Sequence, residues 1–163
     1  MEEKKIEEEI KYKATFDEQG NVILKEKAKI KSGKRSKGAG ARFELAVRKH
    51  WENQGWILDK WTNNIDLEQQ QIIAAKRKFN PFRRVMTIGT GFPDFIAIKK
   101  IDEGRYDIIG IEVKMNGLLS KEEKQKCKVY LDKGIFSQLL IAKKADKRGE
   151  IEHVDFKERY GNI

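Results

Sequence analysis

The chain has 163 residues and a formal net charge of +9, with 35 Lys and Arg residues against 26 Asp and Glu residues. Its length suits one domain with a modest core. A basic excess of this size favours polyanionic partners, although charge by itself says nothing about the fold. The single cysteine excludes an intrachain disulfide and a zinc site built from several cysteines.

The sequence carries no recognisable targeting or membrane signal. Residues 1–11 are too charged for a signal peptide. No apolar run approaches the roughly 18–20 residues that a bilayer-spanning helix needs. Together with the single cysteine, this predicts an intracellular, cytoplasmic protein in a reducing compartment, without a membrane partner.

The N-terminal part of the chain is predicted to form a charged extension, residues 1–36, before the main domain, residues 37–163. Asp17-Glu18-Gln19-Gly20 carries a turn signal between Lys11–Phe16 and Asn21–Lys25, which predicts a small appended hairpin.

Residues 25–42 are strongly basic and contain several serines and glycines, so we expect a flexible stretch. Two interpretations stay open for it: a solvated linker, or an arm that binds nucleic acid. In the second interpretation the contacts come from Lys34, Arg35, Lys37 and Arg42.

A helix is predicted over residues 40–54, since apolar side chains recur there at helical spacing. This stripe contains Phe43, Ala46, Val47, His50 and Trp51. Trp56–Trp61 predicts a first strand. Residues 62–88 predict an irregular insert with a short helix near Leu67–Lys76.

Two further strands are predicted at Asp94–Lys100 and Asp107–Lys114.

A second helix begins after Ser120, because Ser120-Lys121-Glu122-Glu123 is a capping-box pattern. The buried side of this helix is predicted to contain Cys127, Tyr130 and Leu131, and Gly134 ends it. Gln138–Lys143 predicts a fourth strand and Ile151–Phe156 an edge strand. The order is helix, three strands, helix, strand, which indicates an α/β fold.

Two short motifs stand on the predicted second and third strands: Gly91-Phe92-Pro93-Asp94 and Ile111-Glu112-Val113-Lys114. Alternate residues of a strand project to the same side, so Glu112 and Lys114 should lie together, with Val113 turned into the core. A short connection near Asp102–Arg105 lets the two strands pair. Two carboxylates and one ammonium group should therefore converge beside the sheet.

This set of groups suits phosphodiester hydrolysis. Mg²⁺ prefers oxygen ligands, which Asp94, Glu112 and the backbone carbonyl of Val113 can supply. Lys114 is placed to bind the attacking water or the scissile phosphate. The combined pattern suggests a metal-dependent nuclease.

Glu44 lies at the margin of the apolar stripe, where its carboxylate would emerge close to the proposed metal; an ordinary surface glutamate is the alternative. Gly89 and Gly91 leave room for a bend and for close approach of a nucleic-acid backbone. His50 is expected to be a packed histidine and Cys127 a core residue.

The insert contains a cluster of basic and aromatic residues. Cations neutralise phosphates and aromatic rings stack on unpaired bases, so the cluster is a candidate nucleic-acid contact; a small hydrophobic loop with solvated charges is the alternative. Its members are Lys76, Arg77, Lys78, Phe79, Phe82, Arg83 and Arg84.

These residues resemble the PD-(D/E)xK nuclease superfamily, which has a restriction-endonuclease-like αβββαβ core. Pro93-Asp94 and Glu112-Val113-Lys114 match its core motif. Gly91-Phe92-Pro93-Asp94 and Leu118-Leu119-Ser120 are similar to the VRR-NUC branch, and Lys37-Gly38 with Phe43-Glu44 is similar to the first helix of archaeal Holliday junction resolvases. The likeness covers roughly residues 37–143.

The resemblance implies a mixed central sheet flanked by helices, with the N-terminal extension and the basic insert added. It also implies that Glu44, Asp94 and Glu112 bind Mg²⁺ or Mn²⁺ and that Lys114 assists catalysis. The glutamine of the second helix in the family, three residues after the serine, falls on Glu123 here, while Gln125 lies two residues further on. Which of the two takes that role stays open.

The leading hypothesis is a metal-dependent endonuclease acting on structured or branched DNA in repair or recombination. Resolvases of this fold commonly work as dimers, so a homodimer is an associated expectation. A restriction-type or RNA-directed nuclease on the same fold, with RNA as the substrate, is one alternative. Two further alternatives are a non-catalytic nucleic-acid-binding module and a small basic α/β protein that packs on a larger assembly.

Overall fold

The computed structural model describes residues 11–17, 20–75, 77–80, 84–89 and 91–161. Within these ranges, no helix combines the length and the hydrophobicity that a membrane span requires. The chain divides into two compact units, Met1–Arg42 and Phe43–Ile163.

The first unit contains a hairpin at the predicted place. Strands β1 (Tyr12–Phe16) and β2 (Val22–Glu26) pair antiparallel, with Tyr12 opposite Glu26. The turn is closed by the Asp17 side chain, since Oδ1 accepts a hydrogen bond of 2.8 Å from the backbone N–H of Asn21. Gly20 adopts a φ of 89°, which glycine tolerates without a steric penalty.

Helix α1 spans Lys27–Glu52, so the expectations of a flexible basic stretch and of a helix start at residue 40 are wrong. Lys, Arg and Ala are good helix formers and the segment lacks proline, while each glycine costs only about 1 kcal/mol relative to alanine. A helix that already exists also grows by one hydrogen bond per residue without a new nucleus. Phe43, Val47 and Trp51 are buried as predicted, whereas Ala46 is exposed.

Strand β3 (Ile57–Lys60) precedes two short antiparallel hairpins, which replace the predicted irregular insert. The first pairs β4 (Asn64–Asp66) with β5 (Gln71–Ile73), and the second pairs β6 (Arg77–Asn80) with β7 (Val85–Ile88). The short helix predicted near Leu67–Lys76 is wrong. The Asp66 carboxylate accepts hydrogen bonds from the N–H groups of Glu68 and Gln69, which favours a turn over a helix.

The central sheet continues with β8 (Phe95–Asp102), β9 (Arg105–Val113), β10 (Gln138–Lys144) and β11 (Ile151–Asp155). Its five strands lie in the order β11-β10-β9-β8-β3. The β9–β10 pair is parallel and the other neighbours are antiparallel, so the sheet is mixed. Asp102 pairs with Arg105, which confirms the predicted tight connection between β8 and β9.

Helix α2 (Lys121–Asp132) joins the parallel strands β9 and β10, as a crossover between parallel strands requires. The predicted capping box is present: Ser120 Oγ accepts the N–H of Glu123 and the Glu123 side chain accepts the N–H of Ser120. Cys127 and Tyr130 are fully buried, as expected, while Leu131 is only half-buried. The short helix α3 (Phe156–Tyr160) follows β11.

Hydrophobic clusters lie on both faces of the sheet. Phe43, Val47 and Trp51 of α1 pack on one face against Ala97 and Ile111. On the other face, α2 and α3 pack on β10 through Cys127, Tyr130, Phe156, Leu139 and Ile141. The second unit is therefore a three-layered α/β structure around a mixed five-stranded sheet.

Candidate active site

Asp94 and Glu112 lie next to each other where β8 begins and β9 ends. Phe95 pairs with Ile111, so the antiparallel register brings Asp94, the residue before Phe95, opposite Glu112, the residue after Ile111. The N–H of Asp94 donates to Glu112 Oε2 at 3.1 Å, and the N–H of Val113 donates to Asp94 Oδ2 at 3.0 Å. Each carboxylate is thus held by the backbone of the other strand, which fixes both at one point of the sheet.

The segment before Asp94 is anchored on the chain that follows β3. The N–H of Phe92 donates to the Asn63 carbonyl at 3.0 Å, and the N–H of Trp61 donates to the Asp94 carbonyl at 3.3 Å. A Cβ atom at Gly91 would lie 2.3 Å from the Trp61 carbonyl oxygen. The protein's own backbone therefore occupies the space that a side chain at this position would need, while close approach of a nucleic acid to Gly91, which also lines the cavity described below, stays a prediction.

Lys114 lies between two carboxylates. Its Nζ atom is 3.1 Å from Glu112 Oε1 and 2.6 Å from Glu123 Oε1, and the lysine side chain is 30% exposed. The predicted proximity of Glu112 and Lys114 is confirmed. Glu123 carries out two tasks, because its second oxygen accepts the N–H of Ser120 at 2.7 Å in the capping box.

Burial and charge repulsion oppose ionisation of the two acidic side chains. Glu112 is only 5% exposed. Burial, followed by the nearby Asp94 charge, raises the pKa of Glu112 to about 8. Burial also raises the pKa of Asp94, with a smaller contribution from Glu44. The Lys114 ammonium offsets these effects only in part, and the pKa values of both side chains stay raised. When both are ionised, their negative charge is not fully neutralised by Lys114, which favours a bound cation.

Glu44 makes a different contact from the one its predicted role requires. Its Oε2 atom forms an ion pair of 2.7 Å with Lys60 Nζ, and Lys60 also lies 4.3 Å from the centre of the Phe95 ring. Glu44 remains near enough to affect the pKa of Asp94. In the described part of the chain, no group of three or more His, Cys, Asp or Glu residues is arranged to hold a metal ion. The structure thus brings Asp94, Glu112 and Lys114 together and leaves Glu44 paired with Lys60.

An open cavity of about 350 Å³ lies over the two acids. Carboxylates that line an open cavity suit Mg²⁺, which keeps several of its waters when it binds to proteins. Asp94 and Glu112 therefore fit a magnesium ion as its two anionic ligands. The cavity is lined by Asn64, Gly91, Phe92, Asp94, Glu112, Lys114, Ser120, Glu122, Glu123 and Lys126.

The predicted nucleic-acid contacts fall into three groups. Four lie exposed on helix α1: Lys34, Arg35, Lys37 and Arg42. Arg77 and Arg84 are exposed on the β6–β7 hairpin, where Phe79 is also 60% exposed. Lys78 belongs to β6, but its side chain is outside the described part. Lys76, Phe82 and Arg83 also lie outside the described residues. Contact with nucleic acid stays a prediction for all of them.

The two histidines and the cysteine are packed within the fold. The His50 ring stacks on His153 at 5.2 Å, and Trp51 Nε1 lies 2.9 Å from His153 Nε2, to which it donates. Cys127 is fully buried, and this burial raises the pKa of its thiol. These contacts agree with the structural roles predicted for His50 and Cys127.

Glu123 is the site residue whose role the sequence did not assign. Its position three residues after Ser120 explains the helix cap, and the only further signal was the family resemblance, which left the glutamine role open between Glu123 and Gln125. Only the packing of α2 beside the end of β9 brings the two side chains together.

In comparisons with known proteins, no family model matches the chain, and no curated protein or solved structure matches it significantly. The family resemblance therefore depends on the motif residues and on the order of the elements.

Proposed function

We propose that this protein is a Mg²⁺-dependent endonuclease that hydrolyses phosphodiester bonds in structured or branched DNA. The observation that carries the proposal is the convergence of Asp94, Glu112 and Lys114, with reciprocal hydrogen bonds that hold the two acids in place. Two short motifs that are separated in sequence, Gly91-Phe92-Pro93-Asp94 and Ile111-Glu112-Val113-Lys114, supply this set.

Each residue has a definite part in this proposal. Asp94 and Glu112 would hold the cation, with the Val113 carbonyl as a third oxygen. When bound, Mg²⁺ polarises the phosphate and makes a coordinated water more acidic. Lys114 donates a hydrogen bond to the attacking water or to the scissile phosphate. Glu44 would be a further ligand only if its ion pair with Lys60 opened.

The architecture supports a PD-(D/E)xK assignment, which we propose here. Along the chain, α1 precedes β3, β8 and β9, which are neighbours in the sheet. Helix α2 follows, and then β10, which is parallel to β9. This order supports the αβββαβ core that the family resemblance implies. The candidate site also lies at the ends of the second and third of these strands.

Charge supports nucleic acid as the substrate. The net charge is +9, and exposed lysines and arginines lie on α1 and on the β6–β7 hairpin. A role in DNA repair or recombination follows from the proposed preference for branched DNA. RNA as the substrate is the alternative within this reaction class.

One observation favours a second candidate, a non-catalytic nucleic-acid-binding module. Glu44 is paired with Lys60, and Lys114 is paired with Glu112 and Glu123, so much of the charge at the site is compensated internally. A site of this kind could have a structural role without binding a metal.

The experiment is cleavage of a panel of DNAs (four-way junction, flap, single strand and plain duplex) and matched RNAs in Mg²⁺. We expect a branched DNA to be cut, and the Asp94→Ala and Lys114→Ala variants to be inactive. Glu103→Ala is the matched control, because Glu103 is exposed in the turn at the far end of β8 and β9.

Calorimetric titration with Mn²⁺ separates the two candidates. The nuclease should bind Mn²⁺ with heat that disappears in Asp94→Ala, whereas a binding module should give no such heat. Unchanged cleavage in both active-site variants would contradict the assignment of the site.

A further inference from the structure

A second concave surface lies between α2 and α3 and takes no part in the proposed hydrolysis. This α2–α3 groove has a volume of about 510 Å³. Its apolar floor contains Leu131, Phe156 and Tyr160. It lies on a different face of α2 from Glu123, since none of its lining residues lines the candidate active site.

The rim of the groove is strongly basic. It carries four lysines, Lys121, Lys124, Lys128 and Lys157, against the single carboxylate of Asp132. Lys121, Lys124 and Lys128 follow an i, i+3, i+7 spacing, so they lie on one face of α2 and extend for about 10 Å along its axis. A row of cations of this length complements an extended polyanion better than a single small anion.

The floor adds an aromatic surface to this row of cations. The Tyr160 ring has Lys124 Nζ at 4.4 Å and Arg159 Cζ at 5.4 Å from its centre, and it packs against Phe156. Single-stranded nucleic acids are bound by surfaces that combine aromatic rings for the bases with cations for the phosphates. Lysines alone would also suit an acidic peptide or an anionic lipid, whereas the ring favours an unpaired base.

We propose that the α2–α3 groove binds an unpaired segment of nucleic acid, with the phosphates on the lysines and a base against Tyr160. This inference rests on the proposed function and sharpens it, because it specifies substrates that carry a single-stranded part, such as a flap. The Lys124 side chain is half-buried at the groove, and its ammonium moves from the ring to a phosphate when a base stacks there.

The test is binding of fluorescein-labelled oligothymidylate to the full-length protein, measured by anisotropy in EDTA at several salt concentrations. The triple variant Lys121→Gln, Lys124→Gln, Lys157→Gln should bind more weakly. Its log–log salt dependence should also flatten by about 0.7 for each phosphate contact removed. Tyr160→Leu should weaken binding about tenfold or more with an unchanged salt slope, since stacking releases no counterions. Tyr160→Phe should retain the parent affinity.

The matched control replaces three exposed lysines elsewhere in the second unit: Lys100→Gln, Lys144→Gln, Lys147→Gln. An equal loss of affinity in this control, or a parent-like affinity in Tyr160→Leu, would overturn the proposal. So would equally effective competition by polyglutamate or by phosphatidylserine vesicles. Thermal melts of each variant show that it is folded.

Failure of this inference is distinguishable from failure of the proposed function. Binding in EDTA does not require the metal, so the anisotropy measurement tests the groove whether or not Asp94 and Glu112 hold a cation. Loss of binding in the groove variants supports the groove even if no DNA is cut. Parent-like binding in those variants overturns the groove and leaves the cleavage assay unaffected.

Discussion

The Lys114 ammonium nitrogen lies 2.6 Å from Glu123 Oε1, closer than the 3.1 Å that separates it from Glu112 Oε1. Because the other oxygen of Glu123 caps helix α2, the position of Lys114 is linked to the start of that helix. Glu123 therefore acts as a positioning residue for Lys114.

Replacing Glu123 by glutamine should separate these two tasks. Glutamine can keep the capping box but removes the charge that holds Lys114. We expect a fall in kcat of about tenfold for the proposed cleavage, with little change in KM and in Tm, because about 1.4 kcal/mol of transition-state stabilisation is lost. Steady-state kinetics and a thermal melt provide the measurements.

The control for Glu123→Gln is Ser120→Ala, which removes the cap and leaves the Glu123 carboxylate in place. It should cost about 1 kcal/mol of stability and leave kcat near the parent value. If both variants lose stability equally and neither changes kcat, Glu123 only caps the helix.

Stability in the absence of metal should depend on the pH through Glu112. Burial and the charge of Asp94 raise the pKa of Glu112 from 4.5 to about 8. Between these values the unfolded chain has released a proton that the folded chain still holds, so the free energy of unfolding falls as the pH rises from 4.5 to 8. Glu112→Gln should flatten this dependence in EDTA and raise Tm at pH 8, as followed by circular dichroism.

Added Mg²⁺ gives a complementary measurement on the same protein. It should raise Tm more at pH 8 than at pH 5, because metal binding requires ionised carboxylates. Asp94→Asn should abolish this increase. If added Mg²⁺ leaves Tm unchanged at both pH values, this result would contradict the proposed metal site.

Gly91→Ala should strongly destabilise the protein. The new Cβ atom would lie 2.3 Å from the Trp61 carbonyl oxygen and 2.5 Å from that of Asn63, both of which are backbone atoms that cannot move aside alone. We expect a loss of about 1–3 kcal/mol or more in urea denaturation. It should be accompanied by loss of activity, because Asp94 follows three residues later.

Gly33→Ala is the matched control, since no atom lies within 4 Å of the position where its Cβ would be placed in α1. It should stabilise the helix by up to about 1 kcal/mol. Parent-like stability of Gly91→Ala would show that the loop before Asp94 can relax.

Acid should weaken the fold through His153. Burial, with a smaller contribution from His50, lowers the pKa of His153 from 6.5 to about 4. Between these pH values His153 binds a proton in the unfolded chain but not in the folded chain. The free energy of unfolding therefore decreases as the pH falls from 6.5 towards 4. His153→Gln keeps an acceptor for the Trp51 N–H and should show a weaker decrease in urea titrations over this range. An identical pH dependence in both proteins would assign the acid sensitivity to other groups.

Hydrophobic periodicity, helix-capping residues and turn residues in the sequence predicted much of the architecture. The strands of the central sheet, the capping box at Ser120 and the burial of Cys127 all follow from local patterns that tertiary contacts did not override. The predictions failed where local preferences compete. In residues 27–39 the glycines suggested flexibility, yet Lys, Arg and Ala sustain the helix. After Asp66, a side-chain turn favours a hairpin over the expected helix.

For the candidate site, the sequence by itself determined which residue types are present and which share a face of a strand, because the alternation of a strand is a local property. Asp94, Glu112 and Lys114 followed from that rule. Only the tertiary structure decided that Glu44 pairs with Lys60, that Glu123 holds Lys114, and that Gly91 accommodates its own backbone. These contacts join elements distant in sequence, and their geometry depends on how helices and strands pack, which no local pattern encodes.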